Sequence, residues 1–130
     1  MGIIRGWMGH LTNEDAQRTQ KEFADLLVNG EEVLLSYKYV RDRVVLTTHR
    51  LIRENIQGIT GKRKSYLSIP YSKIRAFAKQ SAGWLDLDAE VWVWLLGQDD
   101  PIQFDFKRTK MVNEFLKILG EGVLQDEFSK

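Results

Sequence analysis

Seven short runs rich in β-branched and aromatic residues predict a mainly β domain with one helix before the strands and one after them. Three observations carry that reading: the regular alternation of turn chemistry with these runs, a thin amphipathic stretch near the start, and a strong helical stripe near the end. At 130 residues the chain suits one domain able to bury its own core. The expected organisation is a leader and helix over 1–30, strands over 31–107 and a closing helix over 109–120.

The opening MGIIRGWMGHL is apolar but broken by glycines, and it falls far short of the ~20 residues a spanning helix needs. It also lacks the continuous apolar core and small-residue cleavage site of a secretory signal, so the expectation is a soluble cytoplasmic protein. Thr12 or Asn13 followed by Glu14 and Asp15 reads as a helix start, with acidic residues in the positive first turn. The helix is expected from Asn13 to Leu27, with Ala16, Phe23, Leu26 and Leu27 as its stripe, lying on the body as an accessory.

The strands are expected at Val33–Val40, Arg43–Leu46, Leu51–Ile56, Lys64–Ile69, Ile74–Lys79, Leu85–Leu95 and Ile102–Phe106. Turns fall at TTHR, QGITGK, IPYS, SAGW and GQDD. The last helix starts near Thr109, with Met111, Val112, Phe115, Leu116 and Leu119 on one stripe and Gly120 as its stop.

The run DLDAEVWVW is the least ordinary. Leu85, Leu87, Ala89, Val91, Val93 and Leu95 share one strand face, while Asp86, Asp88, Glu90, Trp92 and Trp94 share the other. If SAGW and GQDD each close a four-residue hairpin loop, paired residue numbers sum to 165 and 197. Lys79 then faces Asp86, Arg75 and Lys107 face Glu90, and core residues face core residues. Only Asp88, opposite Phe77, is left over. Same-face carboxylates on a strand stand ~6.5–7 Å apart, and the glycine and distal glutamate of an EF-hand loop are missing. No metal is expected.

The same register sets Trp92 beside Lys73 and Asp105, and Trp94 beside Tyr71 and Gln103, away from the core. An aromatic patch there marks an interaction surface, so Trp92, Trp94 and Tyr71 are the candidate oligomer or partner interface. Its cover could be the amino-terminal helix or tail of the same chain, a partner chain, or a lipid or small ligand.

Three segments carry a family resemblance: VRDRVVLTTHRLI at Val40–Ile52, QGITGKRKSYLSIPYSKI at Gln57–Ile74 and GWLDLDAEVWVWL at Gly83–Leu95. With the short glycine-broken leader, they make the chain resemble the bacterial pleckstrin-homology (PH) family along nearly its whole length. The resemblance implies a seven-stranded, partly open β-barrel capped by a carboxy-terminal helix. It also implies assembly into a ring-like homo-oligomer, with no established catalysis and no known ligand.

Eukaryotic members of this fold often bind phosphoinositides through spaced basic residues in the first hairpin, a loose pattern that Lys38, Arg41 and Arg43 satisfy. The loop is short and Asp42 sits between the arginines, whereas phosphate recognition wants convergent cations with little competing acid. Lys62, Arg63 and Lys64 follow Gly58 and Gly61 in a second basic loop, whose spacing is not that of a P-loop. These six residues are the candidate anion or phospholipid site.

The only histidines are His10 and His49, and neither sits in a catalytic pattern. With 19 basic against 18 acidic residues, no global field draws the chain to nucleic acid. The absence of cysteine removes disulfides and thiolate chemistry. The sequence reads as a non-enzymatic, self-assembling binding or scaffold module without cofactor. The alternative is a peripheral phospholipid-binding module.

Overall fold

The computed structural model describes residues 14–39, 42–81, 89–107 and 109–125. Its elements run α1 (Glu14–Glu22), β1 (Val33–Tyr39), β2 (Asp42–Thr47), β3 (Arg50–Gln57), β4 (Arg63–Pro70), a 3-10 turn (Tyr71–Lys73), β5 (Ile74–Ser81), β6 (Ala89–Leu95), β7 (Ile102–Phe106) and α2 (Thr109–Val123). The strands form a four-stranded sheet ordered β1-β2-β3-β4 and a three-stranded sheet ordered β5-β6-β7, not closed into one barrel. The chain divides into two compact units, Met1–Ser68 and Ile69–Lys130.

In the first unit, β1, β2 and β3 form an antiparallel meander in which Ser36 pairs with Val45 and Val45 with Ile52. Ala16 and Phe23 pack with Val33, Val45 and Ile52, and Leu26 and Leu27 close over the cluster. The regular helix ends at Glu22, five residues short of the expected Leu27. Beyond it the chain continues in tight turns, with Leu26 and Leu27 amides both donating to the Phe23 carbonyl at 2.8 and 3.0 Å. That tightening is what points both leucines back to the sheet, and Gly30, at φ 82°, then reverses the chain into β1. The expected cap at Thr12 or Asn13 lies outside the described residues.

In the second unit the apolar face consists of Ile74, Ala89, Val91, Val93, Phe104 and Phe106, all buried. Buried Val112, Phe115, Ile118 and Leu119 of α2 complete its core. The Phe115 ring lies 5.0 Å from that of Phe106 and 6.0 Å from that of Phe104. The helix does not stop at Gly120. It runs to Val123, and Gly122 lies against the Tyr71 ring so closely that an added Cβ would stand 2.6–2.8 Å from ring carbons. Gly122 therefore serves a close approach, and Gly120 is not a terminus.

The expected hairpin registers are both displaced. The pairs Phe77–Val93, Ala78–Trp92, Lys79–Val91 and Ser81–Ala89 sum to 170, so β5 extends to Ser81 and residues 82–88, which are not described, connect it to β6. A bulge between Ile74 and Ala76 accommodates one extra residue, Arg75. Ile74 and Phe77 consequently share the inner face, while Ala76 and Ala78, expected inside, come to the tryptophan side. The β6–β7 pairs sum to 195, two residues from expectation, which preserves the faces but sets Gln103 opposite Trp92. A bulge is invisible to any argument that counts residues from a loop, and the hydrophobic alternation tolerated both alignments.

Candidate functional site

Trp92 and Trp94 lie two residues apart on β6, half-buried, with ring centroids 6.1 Å apart and planes inclined at 46°. The Trp92 indole N–H donates to Glu90 Oε2 at 2.8 Å, so the carboxylate on the same strand face is held against the aromatic pair. On one side stand Ala76 and Ala78, opposite Trp94 and Trp92; on the other stand Gln103 and Asp105, opposite Trp92 and Glu90. The Gln103 amide donates to Asp105 at 3.0 Å. The outward face of this sheet is thus an aromatic pair flanked by small residues and rimmed by two carboxylates.

Tyr71 is not part of it. The pairing puts Ala76, not Tyr71, opposite Trp94, and Tyr71 is buried in the 3-10 turn against Gly122. The register also sets Val91 opposite Lys79, and Gln80 and Asp105, in place of Arg75 and Lys107, opposite Glu90. Arg75 donates instead to the Leu95 and Gln98 carbonyls at 3.3 and 3.2 Å, and Lys79 donates to Asn113 Oδ1 at 3.1 Å. Asp86 and Asp88 lie outside the described residues.

Among the first-hairpin cations, Arg41 lies outside the described residues and Lys38 is exposed at its pairing with Arg43. Arg43 is unavailable to an outside anion. Its Nε and Nη2 donate to both oxygens of Glu54 at 2.9 and 3.2 Å, and Nη1 and Nη2 reach both oxygens of Glu22 at 3.3 and 3.2 Å. Thr19 and the Phe23 ring, 4.9 Å from the guanidinium carbon, complete the enclosure. Its side chain retains 13% exposure and that of Glu54 only 2%. An incoming phosphate would have to displace two carboxylates, so Arg43 drops out of the first-hairpin cluster.

Lys62, Arg63 and Lys64 are exposed, as the sequence suggests. Gly58 and Gly61 adopt φ 83° and 70°, and the Gly61 amide donates to the Gly58 carbonyl at 3.3 Å. Ile59, between them, is fully exposed. The positive charge of Lys64 reaches as far as Glu22.

Sequence reasoning missed a fully buried, multiply bonded carboxylate. The Glu31 side chain, with no exposed surface, accepts from Arg50 Nε and Nη2, both at 2.9 Å, from the Thr47 hydroxyl at 2.6 Å and from the Val28 amide at 2.9 Å. Arg50 also donates to the Leu26 carbonyl at 2.7 Å and to Ser68 Oγ at 3.0 Å. Burial pushes the Glu31 carboxyl up, but the hydrogen bonds from Arg50, Thr47 and Val28 outweigh it and hold the group below the usual carboxylate range. Glu22 is likewise held low, chiefly by the hydrogen bond from Arg43. Burial lowers and the two carboxylates raise the Arg43 value, with the carboxylates prevailing. The available signal was weak: an acid just after Asn-Gly and an arginine just after a turn read as ordinary surface chemistry.

Thr47 Oγ1 accepts from the His49 and Arg50 amides at 3.0 and 2.9 Å, the turn chemistry expected of TTHR. Thr48 Oγ1 and His49 Nδ1 are 2.7 Å apart in an exposed hydrogen bond. Among the described residues no cluster of acidic or histidine side chains could hold a metal ion, and no helix is long and apolar enough to cross a membrane.

Four strands, then three, then a helix packed on the second sheet define a protein of the pleckstrin-homology class. The model of the bacterial PH domain family matches residues 2–123, and the chain belongs to that family. It is 38% identical over 121 residues to the uncharacterised protein YjqA of Bacillus subtilis, covering 92% of this chain and 97% of that one. A crystal structure of a DUF1696-family protein with a pleckstrin-homology domain from Shewanella loihica matches with TM-score 0.77 and 34% identity, over 86% of this chain and 94% of that one. A pleckstrin homology domain from Shewanella amazonensis matches with TM-score 0.73 and 40% identity, over 85% and 99%.

Proposed function

We propose that this chain is a non-enzymatic PH-like scaffold that assembles into a homo-oligomeric ring in the cytoplasm, using the Trp92–Trp94 face as an assembly surface. The observation that carries the reading is the tryptophan pair itself, on the outward side of a sheet whose inner side is filled by α2. Large aromatic side chains with a fixed polar neighbour are what interface centres favour, because they bury much area at little entropic cost. The described amino-terminal helix places its apolar residues on the first sheet, which supports assigning the tryptophans to a partner. Light scattering during size exclusion tests this. The wild type is expected to be a multimer, and Trp92→Ala/Trp94→Ala a folded monomer by circular dichroism; a monomeric wild type ends the proposal.

A second reading, peripheral contact with a phospholipid surface, is supported by the exposed Lys62, Arg63 and Lys64 beside Ile59. It no longer includes Arg43. On this reading the protein sediments with phosphatidylglycerol vesicles at low salt and Lys62→Glu/Arg63→Glu/Lys64→Glu does not.

A further inference from the structure

An interface that repeats around a ring is heterologous, so each copy must offer two different patches and the tryptophan face accounts for one. We propose that the other is the β3–β4 loop: Ile59 and the Lys62–Arg63–Lys64 run of one copy dock on Trp92, Trp94, Glu90 and Asp105 of a second copy. The inference rests on the assembly reading above and names the partner element that it lacks.

The charges of the two patches are complementary. The segment Gln57–Lys64 contains three cations and no acid. The outward residues of the second sheet, among those described, include Glu90 and Asp105 and no cation on β6 or β7. Guanidinium and ammonium groups are attracted to tryptophan faces, most strongly where neighbouring carboxylates add to the field. Glu90 is already oriented at that position by the Trp92 indole.

Ile59 supplies the apolar contact. It is fully exposed at the tip of a turn set by two glycines in the left-handed region, so the loop presents it without any surrounding cover. On the receiving side, Ala76 and Ala78 stand opposite Trp94 and Trp92, so only methyl side chains flank the indoles there and an aliphatic side chain can approach them. Burying an isoleucine against tryptophan is worth roughly the transfer of its side chain from water, while the charges fix orientation.

The test exploits the two-patch geometry. Loop variant Lys62→Glu/Arg63→Glu/Lys64→Glu and face variant Trp92→Ala/Trp94→Ala are each expected to be monomers by light scattering. Mixed in equal amounts they are expected to give a species of twice the monomer mass and nothing larger, because each copy retains one intact patch. If circular dichroism shows the face variant unfolded, Asp105→Lys at an exposed position replaces it. A loop variant that keeps the wild-type mass overturns the loop's role while leaving the assembly reading standing. A mixture that stays monomeric overturns it too, and a monomeric wild type overturns both. Loss of vesicle binding in the loop variant without change of mass would assign the loop to a membrane surface instead.

Discussion

Glu31 shows how one side chain can organise a chain reversal. It bonds simultaneously to the amide of Val28, the Thr47 hydroxyl and the Arg50 guanidinium, and Arg50 in turn holds the Leu26 carbonyl. Removing one member of a buried ion pair strands the other, at a cost of about 3–5 kcal/mol. Glu31→Gln is therefore expected to lower the urea midpoint strongly, and Glu31→Gln with Arg50→Met to recover part of the loss. Because its folded pKa lies below its unfolded one, the Glu31 contribution is fully present above the unfolded carboxylate pKa and is lost as pH falls through the folded value. Stability measured across the acid limb should fall less steeply in Glu31→Gln than in the wild type. A steeper limb would show that the carboxyl is not held ionised by its neighbours.

At the scale of elements, α1 is a short helix attached by specific bonds as much as by bulk. Glu22 meets Arg43, Thr19 donates to Ser36 at 2.7 Å, and Gln20 accepts from the Val33 amide at 2.6 Å while donating to the Glu31 carbonyl at 3.0 Å. The β-strands and α2 were legible in the sequence because alternation and a 3.6-residue stripe are properties of each segment alone. The bonds that hold α1, the bulge in β5 and the role of Gly122 depend on residues far apart in the chain, and no local pattern encodes them. The two glycines of α2 offer a clean comparison. Alanine usually stabilises a helix interior relative to glycine by about 0.5–1 kcal/mol. Gly120→Ala, whose Cβ would meet only Phe77 at 4.0 Å, should raise the melting temperature; Gly122→Ala, driven into the Tyr71 ring, should lower it. Equal effects at the two positions would refute the close-approach argument.

For the whole molecule, the family and the seven strands closed by a helix could be anticipated, whereas the division into a four-stranded and a three-stranded sheet and the surface chemistry had to be seen. A hairpin arginine that counted as a phosphate ligand proved to be enclosed by Glu22 and Glu54, and a tyrosine counted in the interface proved to be core. Among the described residues, removing them leaves the separate cation Lys38 and two small patches, one aromatic with carboxylates and one basic with an isoleucine tip. If those patches meet between copies, raising the salt from low ionic strength to about 1 M, where the screening length shrinks to about 3 Å, should shift the mass toward smaller species at fixed protein concentration. An assembly indifferent to salt would have to be held by the apolar contacts alone.

The bulge at Arg75 has a consequence for lineage. Because the extra residue falls between Ile74, facing in, and Ala76, facing out, deleting Arg75 would leave a regular strand with every later side chain on its present side. Sequence drift can therefore gain or lose one residue at this point without turning the tryptophan face inward. The same deletion a few positions later, between Phe77 and Ser81, would invert part of the strand, so length variation among descendants of this fold should collect at the bulge and avoid the stretch that follows it.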